Sequence, residues 1–187
     1  TKITTVFFDF DVVIANTEPQ YDVYIYGLGE RYNLGIENFA LKVKGTTSPD
    51  IIRNYFSHLS IDDQNTVKED LEAFESQMDF PLVDGVMEFI KYLKNHNYKI
   101  GLVTSSQDFK MKRALDILDL TDTFDTEVTA AHITKGKPDP MCYLLAADQT
   151  GVSPVECVVF EDSFHGIQAG KSAGMRVVGC PVYTTDA

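Results

Sequence analysis

The chain is short of cations. Sixteen lysines and arginines face 28 aspartates and glutamates among 187 residues, a formal net charge of −12 with a pI near 4.6. Such a surface repels phosphate backbones and anionic lipid, which argues against nucleic acid or a membrane as partner. An anionic substrate would have to be neutralised locally by a few placed cations. No apolar run approaches the roughly 20 residues of a membrane span. Thr1-Lys2-Ile3 leads straight into a hydrophobic run, so no signal peptide is expected. Cysteine is scarce too: Cys142, Cys157 and Cys180 are odd in number and lack metal-ligand spacing. Free thiols in a reducing, cytoplasmic setting are expected rather than a disulfide framework. His58, His96, His132 and His165 form no spaced pair and read as surface or loop residues. Low-complexity linkers, repeats and charge blocks are also absent.

What is present is enough for a full core, with 44% of residues hydrophobic. The organisation shows as a change of period. Thr5-Val6-Phe7-Phe8 is a β-branched and aromatic run that reads as a buried strand. From about residue 18 to 80 only helical spacing follows, with Tyr21, Tyr24, Ile25, Leu28 and Tyr32, then Val67, Leu71, Phe74 and Met78. Gly35 and the stretch Gly45-Thr46-Thr47-Ser48-Pro49 divide it into short helices. From about residue 83 helices and strands alternate: strands near 99–103, 124–128, 157–160 and 176–179, helices near 86–93, 108–118, 140–150 and 164–173. Alternation of this kind implies right-handed parallel crossovers and a sheet covered on both faces. The expected fold is α/β, a doubly wound parallel-sheet core with an inserted all-helical cap. Residues 1–14 and 83–187 would form the core and 15–82 the cap.

Four segments end at the carboxyl edge of that sheet, where open α/β folds build their sites. The first strand delivers Asp9 and Asp11, and like charges placed together suggest a cation or a reaction that needs them. Ile100-Gly101-Leu102-Val103 runs into Thr104-Ser105-Ser106, hydroxyls and N–H groups at a helix start that suit a phosphate oxygen. Lys135-Gly136-Lys137-Pro138-Asp139-Pro140 offers a cation in a proline-fixed loop, and Val158-Val159-Phe160 ends in Glu161-Asp162. Each segment alone has an ordinary explanation as a turn, a helix cap or a solvated charge. Together, in this order, carboxylates, a hydroxyl and a lysine suit Mg²⁺ and a phosphoryl group.

With Phe8-Asp9-Phe10-Asp11, Asn16-Thr17-Glu18, Val103-Thr104-Ser105, the Lys135–Pro140 loop, Phe160-Glu161-Asp162-Ser163 and Gly166-Ile167-Gln168-Ala169-Gly170 on view, the chain resembles the haloacid dehalogenase-like superfamily. The likeness is to its phosphatases and β-phosphoglucomutase-like members with a helical cap, and it covers nearly the whole chain. The resemblance implies that Asp9 is the nucleophile that forms an aspartyl phosphate and Asp11 the general acid and base. It implies that Thr104, Ser105 and Lys137 hold the phosphoryl oxygens, and that Lys44, Gly45 and Thr46 belong to a cap loop facing the substrate. Mg²⁺ would sit on Asp9, the Asp11 carbonyl and Asp162, with Glu161 direct or through water. Dehalogenating relatives lack an acid at the position of Asp11, so phosphoryl transfer to or from a small phosphorylated metabolite is the implied chemistry. A monomer is expected.

The match departs from the family in places. Val12 stands where members have glycine, which permits a turn and a close approach. A β-branched residue in a left-handed conformation is an outlier, so Val12 is expected to be extended, with activity retained. Asn16 replaces a frequent Asp. Tyr21 stands where mutases carry a histidine, and Ser48 where they carry a phosphate-gripping arginine, while Arg53 reads as a solvated helix residue. These differences favour hydrolysis. A phosphosugar mutase is the enzymatic alternative, and a non-catalytic phospholigand-binding module, motivated by Val12, the alternative from another class. The chain stops at Ala187 soon after its last readable strand, where members of the family continue, so an irregular or truncated end is expected.

Overall fold

The structure is a computed structural model and describes residues 1–180. The chain end that the sequence reading expects to be irregular falls in 181–187 and lies outside the described residues. Five parallel strands form one sheet in the order β3-β2-β1-β4-β5: β1 (Thr5–Phe8), β2 (Lys99–Val103), β3 (Thr126–Val128), β4 (Cys157–Glu161) and β5 (Arg176–Gly179). After β1 the chain builds outward through β2 and β3, then returns to the other side of β1 for β4 and β5. The direction of winding therefore reverses at β1, and a crevice opens there at the carboxyl ends of the strands. All four residues of β1 are buried, as expected of a strand covered on both faces.

Side chains alternate across the sheet and sort the core into two layers. Val6, Phe8, Ile100 and Leu102 pack on one face with α5 (Val86–Asn95) and α6 (Asp108–Leu118). Phe7, Val103, Val128 and Val159 pack on the other with α7 (Met141–Thr150) and α8 (Phe164–Ser172). Between β1 and α5 lie α1 (Glu18–Arg31), α2 (Phe39–Val43), α3 (Ser48–Tyr55) and α4 (Ile61–Glu75). These helices share a third cluster that includes Ile25, Leu28, Phe39, Ile51, Phe56 and Val67. Gly35 and Gly45 both take positive φ at the breaks between the short helices.

The differences from the sequence reading are small. Helix α7 starts at Met141, with Pro140 as its cap. Strand β3 starts at Thr126 rather than near Phe124, which is half-buried against the first layer. The helical pattern predicts continuation to Met78, but α4 ends at Glu75. Met78 and Phe80 instead enter the sheet-side layer, so their apolar spacing reports burial rather than helix. Among the described residues no helix is long and apolar enough to cross a membrane. Cys142 and Cys157 are buried and Cys180 half-buried, all free thiols.

Gly101 in β2 is required by close packing, because a Cβ there would lie 2.6 Å from Phe7 Cδ1 and 2.8 Å from Thr126 Cγ2. Gly101→Ala should therefore destabilise the protein by about 1–3 kcal/mol, the usual cost of overpacking. Urea unfolding would show it as a lower midpoint at unchanged slope.

Candidate active site

Asp9 follows β1 directly, and its N–H donates to the Phe160 carbonyl at 3.1 Å, which ties it to the end of β4. Strand β4 delivers Glu161 and Asp162 to the same edge. Asp9, Glu161 and Asp162 each present a carboxylate oxygen within 4.8 Å of the others. Lys137 enters this group from the loop before α7. Its Nζ donates to Glu161 Oε1 at 2.6 Å, to the Val103 carbonyl at 3.1 Å and to Asp9 Oδ1 at 3.3 Å. Burial alone would lower the pKa of Lys137, but the Asp9 and Glu161 charges outweigh it and raise the value. The Tyr143 hydroxyl also donates to Glu161 Oε1. Burial, reinforced by the Asp9 charge, pushes the carboxyls of Glu161 and Asp162 up. Lys137 reaches two of the three acids, and Asp162 has only a share of Lys44, so the cluster remains short of positive charge.

The carboxylate of Asp11 lies apart from this cluster and is held by a second buried lysine. Lys110 Nζ donates to both Asp11 oxygens at 2.8 Å, to Ser106 Oγ at 2.9 Å and to the Tyr21 hydroxyl at 2.6 Å. Thr17 Oγ1 donates to Asp11 Oδ1 at 2.7 Å, and Ser106 Oγ to Oδ2 at 3.1 Å. Burial would raise the pKa of Asp11, but Lys110, Thr17 and Ser106 together lower it. The Tyr21 hydroxyl in turn donates to Glu75 Oε2 at 2.6 Å, and that oxygen lies 3.7 Å from Lys110 Nζ. Burial raises the Glu75 carboxyl.

Sequence reasoning missed Lys110 and Glu75. A signal existed for each: Lys110 lies four residues before Ala114 on the buried side of α6, and Glu75 four residues after Leu71 on that of α4. A charged residue on an apolar stripe needs a partner, and here the two charges meet.

The turn after Asp9 overturns the expectation for Val12. Val12 adopts φ +69°, a left-handed conformation, rather than an extended one. Its N–H donates to the Ala15 carbonyl at 2.7 Å, and Ile14 N–H to the Phe10 carbonyl at 2.8 Å. These bonds and a bridge between Asp11 and Ala15 close the turn tightly enough to impose the glycine conformation on valine. Left-handed geometry costs an L-residue roughly 1–2 kcal/mol.

The other predicted residues divide in two. Thr104 and Lys137 are buried beneath the site, with Thr104 Oγ1 accepting from Ser106 N–H at 3.1 Å. Ser105, Lys44, Gly45 and Thr46 line a cavity of about 100 Å³ with Asp9, Asp11 and Asp162. Ser105 Oγ donates to the Gly45 carbonyl at 2.8 Å, joining sheet edge to helical insertion. Lys44 Nζ lies 2.8 Å from Glu18 Oε1 and 2.9 Å from Asp162 Oδ2. Arg53 is exposed and pairs with Asp50. His58, His96 and His132 are exposed, while His165 Nδ1 sits 3.1 Å from the Lys44 carbonyl.

The donor set fits a hard divalent cation. All the candidate ligands are oxygens, as Mg²⁺ prefers, and buried Glu161 Oε2 has no hydrogen-bond partner among the described residues. The Asp11 carboxylate, turned to Lys110, is not part of this set.

The profile of the family described as haloacid dehalogenase-like hydrolase matches residues 6–180. This chain belongs to that family. A phosphorylated carbohydrates phosphatase of Thermotoga maritima is 32% identical over 194 residues, covering 93% of this chain and 83% of that protein. The β-phosphoglucomutase of Bacillus subtilis is 44% identical over 99 residues, which span 52% of this chain and 42% of the relative. Among solved structures, a β-phosphoglucomutase from Clostridium difficile superposes with a TM-score of 0.83 at 25% identity, covering 97% of this chain and 86% of the other. This haloacid dehalogenase-like chain thus shares its fold across nearly its full length with enzymes of phosphorylated sugars.

Two outcomes follow from the site. Val12→Ala should be less stable than Val12→Gly by about 1 kcal/mol, since both lose the side chain's packing and only glycine loses the strain. Paired urea titrations of the two variants check the order. Lys110→Met should cost about 3–5 kcal/mol at pH 8 by leaving Asp11 and Glu75 without a countercharge. The loss should shrink at pH 5, because without Lys110 burial acts on both carboxyls to raise them, and carboxyls raised on folding take up protons and recover stability as pH falls.

Proposed function

We propose that this chain is a Mg²⁺-dependent phosphatase that hydrolyses a small phosphorylated metabolite through an aspartyl phosphate on Asp9. The observation that carries the reading is the separation of two acids one residue apart into different environments. Asp9 sits with Glu161, Asp162 and Lys137, whereas Asp11 is held by Lys110, Thr17 and Ser106. Two carboxyls in different surroundings can take different roles.

In this reading Asp9 attacks phosphorus, and Lys137 reduces the repulsion between its carboxylate and the arriving anion. Thr104 and Ser105, at the end of β2, steady the phosphoryl oxygens. A phosphoryl group arriving beside Asp11 raises its proton affinity, which equips it to protonate the leaving oxygen. As the carboxylate, which Lys110 favours, Asp11 then takes the proton of the attacking water. A positioned acid and base of this kind contributes roughly 10²–10⁴-fold. Bound at Asp9, Asp162, the Asp11 carbonyl and Glu161, Mg²⁺ would supply positive charge against the transferring group.

Residues 1–14 and 83–187 are read as the catalytic core and 15–82 as the cap. The separate hydrophobic cluster of α1–α4 supports that division, and Lys44, Gly45 and Thr46 bring the cap to the cavity wall. The relative named as a phosphatase of phosphorylated carbohydrates supports hydrolysis. The mutase reading has its own support in the β-phosphoglucomutase relatives. Against it, Tyr21 replaces the mutase histidine, and Lys44, the one cation lining the cavity among the described residues, is already paired with two acids. Free thiols at Cys142, Cys157 and Cys180 suit a reducing compartment such as the cytoplasm.

Phosphate release from a panel of sugar, polyol and nucleotide phosphates should depend on Mg²⁺ and stop in EDTA. Asp9→Asn should lower it at least ~10³-fold, as expected for loss of a nucleophile, with little change in melting temperature. Activity near wild type in that variant would remove Asp9 from the role.

A further inference from the structure

One buried polar atom beside the cavity is used neither by the fold nor by the proposed chemistry. Glu75 is only 5% exposed and borders the cavity from the end of α4. Its Oε2 accepts from the Tyr21 hydroxyl, but its Oε1 has no hydrogen-bond partner among the described residues. A buried carboxylate oxygen left unpaired is costly, and a donor that reaches it recovers that cost.

The wall around Glu75 is short of positive charge. Lys110 faces two carboxylates, Asp11 at 2.8 Å and Glu75 at 3.7 Å, so its single positive charge cannot balance both. Glu18 and Asp22 also line the cavity, and Lys44 is shared between Glu18 and Asp162. A phosphomonoester whose phosphoryl group lies at Asp9 would direct its alcohol part toward this wall. A second phosphate or a carboxylate there would meet acids and no free cation among the described lining residues. A hydroxyl would meet an acceptor.

We propose that Glu75 determines substrate specificity, its free Oε1 accepting a hydrogen bond from a hydroxyl of the leaving alcohol while a wall lined by acids, with no free cation among the described lining residues, rejects a second anionic group. The substrate class is then a phosphomonoester of a small, uncharged, hydroxyl-bearing alcohol. The inference rests on the phosphatase reading for the placement of the phosphoryl group.

Glycerol 3-phosphate and 3-phosphoglycerate test it, because they differ in a hydroxymethyl group against a carboxylate. With Mg²⁺, kcat/KM should favour glycerol 3-phosphate by about tenfold or more, the scale of one hydrogen bond to a charged group. Glu75→Gln should narrow that preference, lowering kcat/KM for glycerol 3-phosphate about tenfold more than that for p-nitrophenyl phosphate, which has no hydroxyl to offer. Equal turnover of the two esters by the wild type would overturn the inference. So would an equal loss on every ester in Glu75→Gln, which is the mark of a merely structural role. Titrating both esters into Asp9→Asn measures the same selectivity without turnover. Tighter binding of glycerol 3-phosphate there supports the inference even if the wild type releases no phosphate from any ester, a result that would sink only the phosphatase reading. Equal affinity would overturn it.

Discussion

Too much negative charge gathers at the end of one central strand, and two buried lysines make that arrangement tolerable. Asp9, Asp11, Glu75, Glu161 and Asp162 all border the same region, and Lys137 and Lys110 are each almost fully buried among them. Each lysine serves one of the two acids that follow β1. Lys137 ties Asp9 to Glu161 across the gap between β1 and β4. Lys110 ties Asp11 to α1 and α4 through Tyr21 and Glu75. Removing either cation strands carboxylates in a medium that solvates them poorly. The same shortage of positive charge makes the Asp9 cluster a fit for a divalent ion and makes the cavity wall at Glu75 unfavourable to a second anion.

Much of this was legible in the sequence, for physical reasons. A strand buried on both faces reads as an unbroken apolar run, so Thr5–Phe8 announced itself, and acids at its end announced the edge of the sheet. Alternation of helix and strand after residue 83 left a parallel sheet as the economical solution. Lys110 and Glu75 were hidden because periodicity counts apolar residues, and a buried ion pair enters that count as two exposed positions. Their pairing depends on α4 and α6 meeting in space, which spacing along the chain does not encode. Val12 was misread for a different reason. Intrinsic preference forbids a left-handed valine, but the hydrogen bonds closing the turn around it override that preference.

The helical insertion is more than a cover over the sheet. Its helices pack on an apolar cluster of their own, and its polar contacts with the sheet edge concentrate at the cavity. Ser105 reaches the Gly45 carbonyl, Lys44 reaches Asp162, and Glu75 nears Lys110. Gly45 also passes so close to the β4 edge that a Cβ would lie 2.2 Å from Ser163 Oγ. Insertion and sheet edge thus meet through groups that a phosphorylated ligand would also touch, which couples ligand binding to the fit between the two parts.

The position of β1 also has a consequence for how the protein comes into being. The strand that ends as the middle of the sheet is the first one made, and its register partners are Lys99–Leu102 on one side and Cys157–Phe160 on the other. At about 5–20 residues per second on a ribosome, Val6, Phe7 and Phe8 wait roughly 5–20 seconds for β2 to be synthesised, and longer for β4. The four helices that intervene can meanwhile collapse on their own apolar cluster. A nascent chain therefore carries an unpaired, strongly apolar strand, and that interval, rather than the folded state, is where it is most exposed to aggregation and to chaperones.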